Sequence, residues 1–296
     1  LTGQAITDLS PIAGLTGLKE LSVHDTGVRS TAFLTNLTGL TSLTFTSNDE
    51  VEQVPELGGL TGLTHLVLES DEAFESQADM AALTSLTSLE LLSTKELSYL
   101  LPLSHLEELT LYFTRSETDL SALAGFPQLR RLDLRGETSF YAIYDTSLVG
   151  LGGLQGLPLE ELDLGGHTVY GPLDPVLTIS TLQVLDLSEV DAEGTSFSLL
   201  SGLKELRRLD LSGFRDMVDT PPGPGDLYWS YEAGPASAFV EPLAGLTWLE
   251  ELDLSDCGVS DIAPLSGLTG LTRLDLSGNS ISDLTPLSGL TGLTYL

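Results

Sequence analysis

The sequence predicts an α/β repeat solenoid, curved, with one parallel sheet on its concave face and short helical or irregular returns on its convex face. The first observation is a recurring LxxLxL core. Its first leucine stands at Leu18, Leu40, Leu63, Leu86, Leu106, Leu129, Leu159, Leu182, Leu206, Leu249, Leu271 and Leu293. Most steps between them are 20 to 24 residues, a period that marks a stack of supersecondary units. The second is alternation within the core: in LxL both leucines point to one face of a strand and the residues beside them to the other. The third is that no unit can bury its leucines alone, so successive units pair strand on strand and cover their apolar face with the returning segments.

Each element follows in order along one unit. The LxL segment is the strand, roughly 4.8 Å from its neighbours in the stack. The turn after it carries a polar position three residues beyond the last leucine. The GLTGL, PL and Ile/Val-x-Asp segments form the return. Two units are long. The step from Leu206 to Leu249 is 43 residues and holds an insertion at about 213–240, and the unit beginning at Leu129 has a lesser expansion in the same place. Both leave the stack just after a strand, so both emerge from the same edge.

Residues 271–293, LTRLDLSGNSISDLTPLSGLTGL, and 249–271, LEELDLSDCGVSDIAPLSGLTGL, are near copies. Their pattern resembles the 22-residue leucine-rich repeat of bacterial internalin-type surface proteins, closely in residues 1–48 and 246–296 and more loosely between. The resemblance implies a curved leucine-rich-repeat array that binds a protein or glycan through its concave face and has no catalysis of its own. It covers nearly the whole chain as a single domain, 1–296, of about 12 units, with a partial unit at each end, as expected of a segment of a longer protein. The family usually has Asn after the strand. Here only Asn48 and Asn279 keep it, and Val190 and Phe214 offer no polar atom, so irregular loops are expected in the middle of the array.

Composition narrows the partners. The 296 residues are 41% hydrophobic, enough for a continuous core, and 43 acidic against 12 basic residues give a net charge of -31. Such a field repels nucleic acid and anionic membranes. One cysteine, Cys257, excludes an internal disulfide and a Cys-based zinc cluster. No run reaches the ~20 apolar residues of a spanning helix, so this segment does not insert into a membrane.

Two parts of the outward strand positions invite a binding role. In units three to five, Val67, Leu92 and Tyr112 form an apolar patch flanked by His65, Glu69 and Glu90, the arrangement of a protein contact. Further along, Asp133, Asp163, Asp186, Asp210, Asp253 and Asp275 form an acidic column beside a row of alternating Glu and Arg. That column suits a basic ligand, but it reads more simply as a solvated consensus position. A straight column does not converge as a calcium site must, and arginines stand beside it. In the insertion, Tyr228, Trp229 and Tyr231 suit a ligand contact. Cys257 sits where a small buried residue is ordinary, and His24 and His65 are two units apart, so no catalytic residue, metal or cofactor is expected. The sequence therefore predicts a binding module of a secreted or cell-surface bacterial protein. The alternatives are an intracellular acidic scaffold or inhibitor of a basic enzyme, and the recognition part of a larger enzyme.

Overall fold

In the computed structural model the described residues are 1–48, 57–69, 80–92, 97–112, 117–134, 147–220, 230–233 and 237–296. They fall into two compact units, one made of residues 1–114 and 122–133, the other of 115–121 and 134–296. The strands of the first are β1 (Thr2–Gly3), β2 (Glu20–Thr26), β3 (Ser42–Thr46), β4 (His65–Glu69), β5 (Ser88–Leu92) and β6 (Glu108–Tyr112). After β7 (Glu117–Asp119), which belongs to the second unit, the first is completed by β8 (Arg131–Asp133). The second unit continues with β9 (Ser147–Val149), β10 (Glu161–Asp163), β11 (Thr168–Val169), β12 (Val184–Asp186) and β13 (Asp191–Glu193). It ends with β14 (Arg208–Asp210), β15 (Arg215–Thr220), β16 (Ser230–Ala233), β17 (Glu251–Asp253) and β18 (Arg273–Asp275).

The parallel ladder runs β1-β2-β3-β4-β5-β6-β8 in the first unit and β10-β12-β14-β17-β18 in the second, in chain order and open at its ends. Leucine faces leucine throughout: Leu21 is in register with Leu43, Leu66 with Leu89, and Leu209 with Leu252. Eleven of the strands are those of the LxxLxL cores; β1 comes from a Thr-Gly pair without a core, and the last core makes only a bridge between Tyr295 and Arg273. Leu21, Val23 and Leu274 are buried as expected. Leu276 is a correction: it is half-buried, because beyond its strand only that single bridge follows.

The returns are mostly short 3-10 helices, and spacing explains why. Leu34, Leu37 and Leu40 recur every three residues, and their N–H groups donate to Thr31, Leu34 and Leu37 carbonyls at 2.9 to 3.0 Å. With three residues per turn all three leucines project inward, and all are fully buried. Threonines knit each return to the one before: Thr41, Thr64 and Thr87 Oγ1 donate to Lys19, Thr41 and Thr64 carbonyls at 3.0 to 3.1 Å.

Among the described residues the chain enters the left-handed region at one fixed position, two residues beyond the strand core, at Asp25, Ser47, Gly166, Glu189, Gly213, Asp256 and Gly278, with φ from 49° to 78°. In the second unit that residue's N–H carries the ladder onward, Gly166 to Ser188 O at 2.8 Å and Gly213 to Ser255 O at 2.7 Å. The next residue turns inward. Asn48 Nδ2 donates to Val23 O at 3.1 Å and to Thr46 O at 2.8 Å, while its Oδ1 accepts the Thr26 N–H at 3.1 Å. Asn279 does the same, donating to Leu254 O at 2.7 Å and accepting the Val259 N–H at 2.8 Å. His167 Nε2 reaches Leu134 O, and Cys257 Sγ donates to Leu211 O at 2.9 Å. Four side chains of three kinds thus serve one need, a donor for a carbonyl of the preceding repeat.

In the middle of the array, including the turns at Val190 and Phe214 where that donor is missing, the expected irregular loops are replaced by a second sheet. Its six strands run β16-β15-β13-β11-β9-β7, all parallel except the antiparallel β15–β16 hairpin. Val190 and Phe214 are buried apolar anchors, and the backbone pairs instead: Asp191 N–H donates to His167 O at 3.1 Å and Arg215 N–H to Val190 O at 3.0 Å. The expanded unit enters this sheet through β9 and the insertion through β15 and β16. Helix α1 (Asp174–Leu177) and helix α2 (Ser237–Leu243) take the place of 3-10 turns in two returns. Phe214, Phe197 and Phe239 pack around one another with ring centroids 5.4 to 5.8 Å apart, fixing α2 and the root of the insertion to the core.

Phe214→Asn, which restores the commoner residue of this position, should lower stability by about 3 kcal/mol or more, because it removes a buried aromatic from a three-ring cluster. Urea unfolding of the two proteins measures the difference; equal midpoints would show that the rings do not anchor the insertion.

Candidate binding face

The solvent-facing side of the parallel sheet is where the outward positions converge, and register fixes their neighbours. In the first unit three cross-strand rows run over β4, β5 and β6. One is His65, Ser88 and Glu108, the next Val67, Glu90 and Thr110, the third Glu69, Leu92 and Tyr112. The sequence-predicted patch is thus brought together on three adjacent strands. His65 is exposed, Val67, Glu90 and Tyr112 are half-buried, and Glu69 and Leu92 take their places by backbone register. Val67 and Tyr112 stand in different rows and on strands separated by β5, so the apolar content is staggered across the patch, with Glu90 between. Tyr228 and Trp229 lie outside the described residues; Tyr231 stands on β16 in register with Asp219.

In the second unit the carboxylates form an unbroken register, Asp163 with Asp186, Asp186 with Asp210, Asp210 with Asp253 and Asp253 with Asp275. Like charges placed so are mutually destabilising. Local bonding offsets this. Each carboxylate accepts the N–H two residues on, Gly165 to Asp163 at 2.9 Å, Ser188 to Asp186 at 2.9 Å, Ser212 to Asp210 at 3.0 Å and Ser255 to Asp253 at 2.8 Å. The serine hydroxyls of Ser212, Ser255 and Ser277 add bonds of 2.6 to 2.7 Å to the same oxygens. The LDLS consensus is therefore a strand-ending turn, with Asp as acceptor and Ser as double donor. Sequence reasoning missed that pairing, although the constant Asp-x-Ser spacing signals it.

Arginines supply the second offset. Arg131 pairs with Glu108 at 2.8 Å in the first unit, and Arg208 lies 3.8 Å from Glu251 in the second. Arg273 stacks over the Tyr295 ring at 4.2 Å. Arg208, Glu251, Arg273 and Tyr295, with Asp210, Asp253 and Asp275, line a shallow cleft on the sheet surface. Asp133 sits at the corresponding position of β8 in the first unit, in register with Thr110.

Titration separates the carboxylates. Burial pushes Asp210 above its ordinary value, the Ser212 hydrogen bonds act against it, and the charges of Asp186 and Asp253 push it up again. Asp275, at the outer end, is held low by the Ser277 hydroxyl and N–H, with Arg273 helping. In the returns, Asp8, Asp119 and Asp283 are held low by Ser10, Ser121 and Thr285, whose N–H groups they accept at 2.8 to 2.9 Å. Much of the acidity near the turns thus serves the turns themselves.

Burial pushes the Cys257 thiol up to about 11, which keeps it in the unreactive protonated form at neutral pH. Among the described residues no group of three or more His, Cys, Asp or Glu is placed to hold a metal ion. Also among them, no helix is long and apolar enough to cross a membrane.

Residues 247–289 match the family model for two copies of leucine-rich repeats. No curated protein matches the chain. Among solved structures, an internalin of Listeria monocytogenes is similar over 98% of this chain and 70% of its own, at 22% identity and a TM-score of 0.60. A leucine-rich-repeat protein of Leptospira interrogans is similar over 98% and 74%, at 19% identity and 0.67. A TLR13 complex with single-stranded RNA is similar over 98% of this chain and 41% of that one, at 22% identity and 0.64. A plant peptide hormone receptor in complex with its hormone is similar over 98% and 48%, at 17% identity and 0.64.

A carboxylate held low in the folded state stabilises it above its unfolded pKa, and that contribution is lost as pH falls through the folded value. Asp275→Asn should therefore lower the unfolding midpoint at pH 7, with the gap from the parent closing in strong acid. Thermal unfolding across that range checks this, and a gap independent of pH would rule it out. At these identities the likenesses are of fold, that of a leucine-rich-repeat solenoid, and residues 247–289 carry two matched leucine-rich repeats.

Proposed function

We propose that the chain is a non-catalytic binding module that receives a protein or peptide partner on the solvent-facing side of its parallel sheet, within a secreted or cell-surface protein. The observation that carries this reading is the patch on β4 to β6, where half-buried Val67 and Tyr112 share adjacent rows with exposed His65 and half-buried Glu90. Leu92, in register with Tyr112, adds to it by position. Apolar anchors ringed by polar groups are what a protein contact uses. The likeness to internalin and to receptor ectodomains supports an extracellular setting. One similar structure holds single-stranded RNA, but a net charge of -31 argues against a polyanion here.

Asp186, Asp210, Asp253 and Asp275 favour a second reading, a basic ligand on the face of the second unit. A partner burying apolar surface there must desolvate carboxylates, a cost that only cationic groups offset. The patch on β4 to β6 interleaves its carboxylates, Glu69, Glu90 and Glu108, with apolar and neutral positions, so it carries less of that cost and is the preferred dock.

The test is a peptide-display selection on the intact chain, followed by calorimetry of the recovered ligand. Tyr112→Ala and Val67→Asp should each weaken binding by more than ~1 kcal/mol. Affinity unchanged by these two but lost on replacing Asp186 and Asp210 with Asn would move the site to the acidic column.

A further inference from the structure

The second sheet has an inner column that is apolar or small along its length until its last member. Thr118 is in register with Leu148, Leu148 with Val169, and Ala192 with Asp216. The first four of these side chains are buried. Asp216 completes the column on β15, the strand that opens the insertion hairpin. Its Oδ1 is buried and makes no hydrogen bond. The nearest cation in sequence, Arg215, points to the opposite face, where its Nε lies 2.8 Å from Asp191 Oδ1. Strand alternation forbids it from serving both faces.

The strands that pack against β15 bring no compensating charge. On β13, Asp191 and Glu193 are in register with Arg215 and Met217, on the outer face, and the residue opposite Asp216 is Ala192. On β16, Glu232 is in register with Val218 and Tyr231 with Asp219. By register among the described residues, the ionisable positions on these strands are Asp191, Glu193, Asp219, Tyr231 and Glu232, with Arg215 as the lone base. Asp216 as a whole is half-buried, but with one oxygen buried and unbonded its ionised form costs more than its neutral one.

We propose that Asp216 makes the order of the β15–β16 hairpin depend on pH: with its carboxyl protonated the strand stays docked on β13, and on ionisation the hairpin loosens and the insertion is released from its root. Burial holds the Asp216 carboxyl above its ordinary value, in the same direction. Folding then favours the protonated form, so the contribution is full below the unfolded pKa and is lost as pH rises through the folded one. That is opposite in sign to Asp275. The acid that strengthens this hairpin weakens the turns of the main sheet.

Hydrogen exchange followed by mass spectrometry tests this on the intact chain. Peptides spanning 215–220 and 230–233 would be compared with peptides of β12 and β14, from about pH 4 to about pH 8, after division by intrinsic exchange rates. The hairpin of the parent should lose protection several-fold, relative to β12 and β14, as pH rises. Asp216→Asn should abolish that slope and keep the hairpin protected at neutral pH, and Asp216→Val, which extends the apolar column, should do the same. A parent hairpin whose relative protection is flat with pH, or an Asn variant with the parent's slope, would overturn the proposal.

Discussion

The carbonyl at the end of a strand core, buried where the chain turns out of the sheet, needs a hydrogen-bond donor, and four of the described repeats supply it from a side chain of the next. The molecule meets the need across repeats: Asn48 reaches Val23, His167 reaches Leu134, Cys257 reaches Leu211 and Asn279 reaches Leu254. Because the donor belongs to the following unit, no unit is complete alone, and the spacing of the repeats is held to the reach of one side chain. The left-handed residue before each donor aims it inward, and the Thr ladder closes the other end of the strand. Leucine burial drives the stacking, and the polar side chains satisfy the backbone groups that burial would otherwise strand.

The exposed face inherits its order from that register. Outward positions are free of packing constraints, yet they fall into straight rows because the inward leucines do. The result is a staggered apolar patch on β4 to β6 and a carboxylate column on β10 to β18. The two differ in what contact would cost. The column is already engaged, each Asp holding its own turn, so a partner there competes with bonds the fold uses.

The parallel sheet was legible because LxL alternation repeats at a nearly fixed step, and the rows of the candidate face followed from the same period. The second sheet was not. Its strands β11 and β13 are two and three residues long, too short for alternation to show, and the absence of Asn at Val190 and Phe214 pointed to disorder of pattern instead of an alternative pairing. The role of the consensus Asp escaped notice for another reason: its partner is the serine two residues on, a local bond that strand periodicity does not report. Leu276 looked buried by pattern, but burial also needs a neighbour beyond it.

His167 gives the most direct access to the claim that a donor must cross between repeats, since it replaces the amide by an imidazole and is almost fully buried. Nitrogen-15 NMR of the histidine ring distinguishes its tautomers. The account predicts that His167 carries its proton on Nε2, donated to Leu134 O and slow to exchange with water, at neutral pH. A proton on Nδ1, or an Nε2 proton exchanging as fast as that of an exposed histidine such as His65, would contradict it.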